Sequence, residues 1–185
     1  MSDTEEIPRE QPGESQDDAE RQKRQEELNR KLVKAAEYGN NEDVIQHISD
    51  GAEITSRDSR GDTGLHISAY RGHKDVLQTF ISHKADLNIR GDMRWTPLIN
   101  AAAEGQLSCA QLLLAHGADT DMKSASGRTA LANAAKYDYP DIIATLLSHG
   151  ADDQIQDNNG WDALKYAEKE DSHDAIRMFT AMGSM

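Results

Sequence analysis

Large aromatic and apolar residues are scarce in this chain. Aromatics make up 5% and hydrophobic residues 37% of 185 residues, lean for one globular core but tolerable in a stack whose units each cover only a neighbour. The lone cysteine, Cys109, excludes a disulfide framework. Its place in an apolar helical run reads as a small core residue. No run of roughly 18 apolar residues occurs and the N-terminus is acidic and polar, so neither a membrane span nor a secretory signal is expected. The expected setting is cytoplasmic, with the nucleus also open. Basic residues are few as well: the formal net charge is −13, which repels phosphate backbones and anionic membranes. Glycine-rich phosphate loop, nucleophile elbow and HExxH helix are all missing. The expectation is therefore no enzyme, no cofactor and no metal.

What the chain does have is a beat of 33 residues. Gly61-Asp62-Thr63-Gly64-Leu65-His66 recurs as Arg94-Trp95-Thr96-Pro97-Leu98-Ile99, Gly127-Arg128-Thr129-Ala130-Leu131-Ala132 and Gly160-Trp161-Asp162-Ala163-Leu164-Lys165. Leu32 extends the leucine series backwards. A second marker keeps time: Gly51-Ala52-Glu53, Lys84-Ala85-Asp86, Gly117-Ala118-Asp119 and Gly150-Ala151-Asp152. A fixed period of this size means stacked supersecondary units.

Each unit reads as two helices. In the third, Thr96 can cap a helix with Pro97 in its first turn, where a missing N–H costs nothing. Leu98, Ala101 and Ala102 form its stripe, Gly105 turns the chain, and Leu107 to Ala115 forms a second helix closed at Gly117 by a left-handed cap. Small residues recur at Ala35-Ala36, Ser68-Ala69, Ala101-Ala102 and Ala134-Ala135, letting first helices pack closely. Lys84 stands in a glycine slot, Gly64 in the proline slot, and Asp138 and Asp171 in turn-glycine slots. The first twenty residues differ: eight acids face one base, Arg9, and Pro8 and Pro12-Gly13 break any helix. Residues 1–25 are expected to be a disordered acidic tail, with helix starting within residues 18–27.

These motifs resemble the ankyrin repeat family over roughly residues 28–185. The resemblance implies an all-α solenoid of helix–turn–helix units with projecting β-hairpin loops. On that frame the repeat domain spans 26–185: an N-cap repeat 26–57, three full repeats at 58–90, 91–123 and 124–156, and a C-cap repeat 157–185. The histidine of the family motif, here His66, is expected to tie neighbouring hairpins together.

His83, His116 and His149 share a register and invite a metal reading. Helices about 8–10 Å apart hold their rings too far from one another for ligation near 2 Å, so they read as loop histidines bonding nearby carbonyls. Asp119, Asp121, Asp152 and Asp153 offer too few alternating ligands for calcium and read as solvated turns.

In ankyrin proteins the hairpin tips and the exposed side of each first helix face partners. Carried over residue by residue, the resemblance assigns partner contact to Arg57, Arg60, Tyr70, Arg71, Arg90, Met93, Trp95, Glu104, Lys123, Arg128, Lys136, Tyr137 and Trp161. Five of the nine aromatics fall at such outward positions, counting Tyr38. Arg57, Arg90 and Lys123 make a basic edge on an acidic protein, and Trp, Tyr and Arg dominate interface hot spots. The alternative for Trp95 and Trp161 is that they pack over the next hairpin and stiffen it. The expected function is a monomeric, non-catalytic protein-binding module acting as adaptor, stoichiometric inhibitor or chaperone. Its ligand is expected to be a protein segment with acidic and apolar residues. A nucleic-acid-associated factor, which the net charge opposes, and a host-directed effector are the other readings.

Overall fold

The computed structural model describes residues 16–182. Ten α-helices lie in this stretch: α1 (Gln16–Tyr38), α2 (Asn41–Ser49), α3 (Gly64–Arg71), α4 (Lys74–Ser82), α5 (Pro97–Ala103), α6 (Leu107–Ala115), α7 (Ala130–Lys136), α8 (Pro140–Ser148), α9 (Ala163–Lys169) and α10 (His173–Met182). Odd-numbered helices open each unit and even-numbered helices close it. After α1, none exceeds 10 residues, lengths at which an isolated helix is marginal in water. Caps and packing hold them. Thr96 accepts the Ile99 N–H at 3.3 Å, Thr129 that of Ala132 at 3.2 Å, and Asp162 that of Lys165 at 2.9 Å.

One continuous core runs from Leu32 to Phe179. Leu32, Leu65, Leu98 and Leu131 are buried in register, but the series ends at Leu164, which is 37% exposed because no further described unit covers it. The small-residue register Ala35-Ala36 through Ala134-Ala135 is buried throughout. First helices pack more closely on one another than second helices do. The stack therefore curves with the odd-numbered helices on its inner side.

One expectation is made more exact and one is corrected. The projecting hairpin loops hold no regular strands: among the described residues the single ladder pair is Arg57 with Thr63. They are tight turns, each spanned by a backbone bond from first residue to last, Asp58 N–H to Asp62 O, Gly91 to Trp95, Ser124 to Arg128 and Asp157 to Trp161, at 2.8–3.0 Å, with a second bond inside. Five residues per turn leave no length for a ladder. The tail boundary at 25 also moves, since α1 begins at Gln16. Side-chain pairs along its exposed surface support this extension, Arg21 with Asp18 at 3.5 Å and Gln22 with Glu26 at 3.3 Å. Gln25 also donates to Gly51 O at 2.9 Å, tying the extension to the stack. The disorder expected for residues 1–15 lies outside the described residues.

Lys84 adopts φ 61° in the slot where Gly51, Gly117 and Gly150 have φ 97°, 87° and 84°. A left-handed non-glycine residue costs roughly 1–2 kcal/mol. His83, His116 and His149 each place Nδ1 2.8–2.9 Å from the carbonyl four residues back, on Thr79, Leu112 and Thr145. Facing a carbonyl, each Nδ1 must carry the proton and donate, so these rings cap helix C-termini as loop histidines.

Candidate functional site

The basic edge runs along the hairpins from unit to unit. Arg57 Nη1 donates to Arg90 O at 2.9 Å, Arg90 Nη1 to Lys123 O at 2.7 Å, and Lys123 Nζ to Gln156 O at 2.7 Å. Each cation thus reaches the backbone of its own equivalent one unit on. Arg57 also bonds Gly61 O. The edge is an inter-repeat ladder to which each of the three cations gives at least one donor. The 33-residue register of Arg57, Arg90 and Lys123 was the signal for it, since a long donor recurring at the repeat period can reach the next unit.

Beside this ladder, the structure brings Arg60, Tyr70, Arg71, Met93 and Trp95 around one groove of about 270 Å³ on the inner side, floored by Ile67 and Asn100. Tyr70 is 40% and Met93 66% exposed. Trp95 is half-buried and packs against the core, so one part of it stiffens the hairpin while the other faces the groove. Arg71 pairs with Glu37 at 3.2 Å and Arg60 with Asp58 at 3.1 Å. Burial pushes the Asp58 carboxyl up, but the N–H groups of Asp62 and Arg60 and the Arg60 guanidinium outweigh it and hold it below the usual carboxylate value.

His66 locks the groove's hairpin in place. The Thr63 N–H donates to its Nδ1 at 3.2 Å, so Nε2 carries the proton and donates between Ile89 O at 3.0 Å and Trp95 O at 3.2 Å. It ties two units together, as expected. Burial pushes its pKa below the ordinary value, with the Asp62 charge opposing. Sequence reasoning missed the tip itself. Met93 and Arg94 have φ 50° and 57°, two consecutive left-handed residues, and Arg94 stands where the other hairpins carry Gly61, Gly127 and Gly160. That departure was visible in the repeat alignment. Strained backbone of this kind gathers at binding and switch regions.

The remaining assigned residues lie apart from the groove's lining. Glu104 is exposed at the end of α5. Lys136 sits 5.0 Å over the ring of Tyr137, which is 46% exposed. Arg128 lies 5.8 Å over the Tyr166 ring, and Trp161 meets Tyr166 edge-on at 5.3 Å. Tyr166 donates to Asp157 at 2.6 Å. Its pKa is pushed up to about 12 by burial and by that carboxylate. The acids in the turns work as backbone acceptors: Asp119 takes the Asp121 N–H at 2.9 Å, and Asp121 takes that of Asp152 at 3.0 Å.

Comparison with known proteins agrees with this architecture. A family model of ankyrin repeats in three copies matches residues 32–124 and 116–184. The chain is similar to two proteins of Rickettsia felis named as ankyrin repeat proteins. One is 40% identical over 57 residues, covering 31% of this chain and 90% of that protein. The other is 45% identical over 50 residues, covering 27% of this chain and 76% of that protein.

Proposed function

The chain belongs to the ankyrin repeat family, and from that premise we propose that it is a non-catalytic protein-binding module. Its ligand docks on the inner side of the array, with an apolar anchor in the groove between the first and second hairpins. One observation carries this reading: Tyr70, Met93 and Trp95 meet around a single groove, with Met93 held outward by left-handed backbone. Half-exposed aromatics and methionine bury large area on docking, and strained tips persist where the surroundings over-determine them. The cations lining the groove, Arg60 and Arg71, each have a carboxylate partner, which leaves Tyr70, Met93 and Trp95 to take the apolar anchor. A module of this kind acts by occupying its partner, as adaptor, inhibitor or chaperone. A cytoplasmic or nuclear setting fits the lone thiol, Cys109, which is free, buried and pushed up to about 11 by burial.

Among the described residues no helix is long and apolar enough to cross a membrane. The test is affinity capture with wild type beside Met93→Glu and Trp95→Ala, with melting followed by circular dichroism. Met93→Glu is expected to abolish capture with the fold intact, because it places a charge on the anchor surface. Trp95→Ala is expected to cost the complex about 2 kcal/mol or more. Capture that survives Met93→Glu would move the binding face elsewhere.

A further inference from the structure

The last two units differ from the groove on the same inner side. Arg128 and Trp161 hold the register of Trp95, and Lys136 and Lys169 that of Tyr70. Lys169 Nζ lies 4.8 Å and Lys165 Nζ 5.8 Å from the centre of the Trp161 ring. The Arg128 guanidinium lies over Tyr166, which abuts Trp161. Three cations therefore gather round one aromatic pair, with Lys136 a unit away.

Neutralisation separates this cluster from the groove. Arg60 and Arg71 each have a carboxylate at 3.1–3.2 Å. In the cluster, among the described residues, the one ion pair is a 3.6 Å contact from Lys169 to its neighbour Glu170, both side chains exposed and therefore weakly held. The neighbouring carboxylates of Asp157 and Asp162 are turned to backbone N–H groups and the Tyr166 hydroxyl, so Arg128 and Lys165 rest on rings instead. A carboxylate placed between Lys165 and Lys169 meets two cations at once, and the flat face of Trp161 can carry the apolar part of the chain that brings it.

We propose that Arg128, Lys165 and Lys169 around Trp161 form a docking subsite for an acidic, Asp/Glu-rich segment of the partner protein. The proposal rests on the inner-side binding reading and gives the ligand a polarity: apolar anchor at Met93, acidic stretch toward α9. First helices stack at about 8–10 Å, so two units separate anchor and acidic stretch by roughly 16–20 Å, or about five to six extended residues. A peptide is favoured over nucleic acid by charge. A short acidic stretch can end where the cluster ends, whereas each further phosphate of a polyanion meets the negative field of the rest of the protein.

The experiment uses the full chain and a fluorescein-labelled hexaglutamate peptide, read by anisotropy at low salt. Saturable binding is expected. Lys165→Gln/Lys169→Gln is expected to weaken it at least about fivefold, while Lys165→Arg/Lys169→Arg stays within about twofold, because the cluster acts through charge. Lys23→Gln/Lys31→Gln removes the same charge from α1 and is expected to change binding less than about twofold. Absence of saturable binding, or equal weakening by both glutamine pairs, overturns the subsite. So does tighter binding of a twelve-nucleotide single strand that is lost with Lys165→Gln/Lys169→Gln. Retained hexaglutamate binding alongside partner capture that is insensitive to Met93→Glu would sink the groove reading and leave this one standing.

Discussion

The hairpins at Asp58–Asp62 and Asp157–Trp161 supply their own side-chain acceptor, whereas the one at Gly91–Trp95, closed by the same backbone bond, takes its side-chain bonds from its neighbour. Asp58 accepts the N–H groups of Arg60 and Asp62, both at 2.9 Å. Asp157 accepts those of Asn159 and Trp161 at 2.8 and 2.9 Å. Gly91 stands in the same slot with no side chain, and there Asp62 from the preceding hairpin takes the Asp92 N–H at 2.9 Å while His66 clamps Ile89 and Trp95. A Cβ on Gly91 would strike Asp62 Oδ1 and approach His66 to 2.9 Å. Closure from outside frees the middle tip from its own acceptor, and that tip carries the left-handed Met93 and Arg94. Conformational cost at one unit is thus offset by bonds from the next, which only a stacked array can supply.

His66→Ala tests this dependence most strongly. It leaves a buried N–H at Thr63 and the Ile89 carbonyl unpaired while Trp95 O keeps the Gly91 N–H, so urea unfolding should show a loss of roughly 2–3 kcal/mol. A loss below half of that would mean the middle hairpin holds without its neighbour's bonds.

Gly91→Ala is next, at about 2 kcal/mol, because the added methyl displaces Asp62 and His66 together. Its register mates already carry side chains, so Ser124→Ala should cost less. Equal melting shifts for the two would erase the distinction between the turns.

Acid separates the two kinds of closure by pH. His66 is pushed below its ordinary value near 6.5, so the unfolded chain binds its proton first. Its contribution is present above pH 6.5 and declines as pH falls through that value towards the lower folded one. Asp58 and Asp157 are held below the usual carboxylate value, so their contribution is present above about pH 4 and is lost below it. Stability measured against pH should fall in two steps, and His66→Gln should remove the upper one alone. A single step in wild type would show that the clamp does not titrate.

The smallest effect expected is a gain. Arg94→Gly should stabilise by roughly 0.5–1 kcal/mol, since glycine relieves a left-handed residue at the cost of unfolded-state entropy. Lys84→Gly should do the same at φ 61°. If the strained tip serves binding, Arg94→Gly should also weaken partner capture, which Lys84→Gly should not.

Much of this was legible in the residues. The 33-residue period, the Thr96-Pro97 start and the glycine slots specify local helix starts and stops, and local geometry is what a short motif can encode. Lys84 shows how well: a departure from a glycine slot announced its positive φ. His66 was placed correctly because its role follows from its register. The register of Arg57, Arg90 and Lys123 signals reach into the next unit, but only the structure shows which carbonyls their donors meet. Leu164 likewise repeats a buried position yet stands exposed.

The sequence by itself determined the helical units and their period, because those depend on periodicity and turn chemistry within a few residues. Only the tertiary structure decided which outward residues meet. Arg60, Tyr70, Arg71, Met93 and Trp95 come together because adjacent units stack with their inner sides in register. Arg57 turns inward to its neighbour because a carbonyl lies within reach there. Such choices are made between groups some 33 residues apart, where distance and direction arise from packing that no local pattern contains.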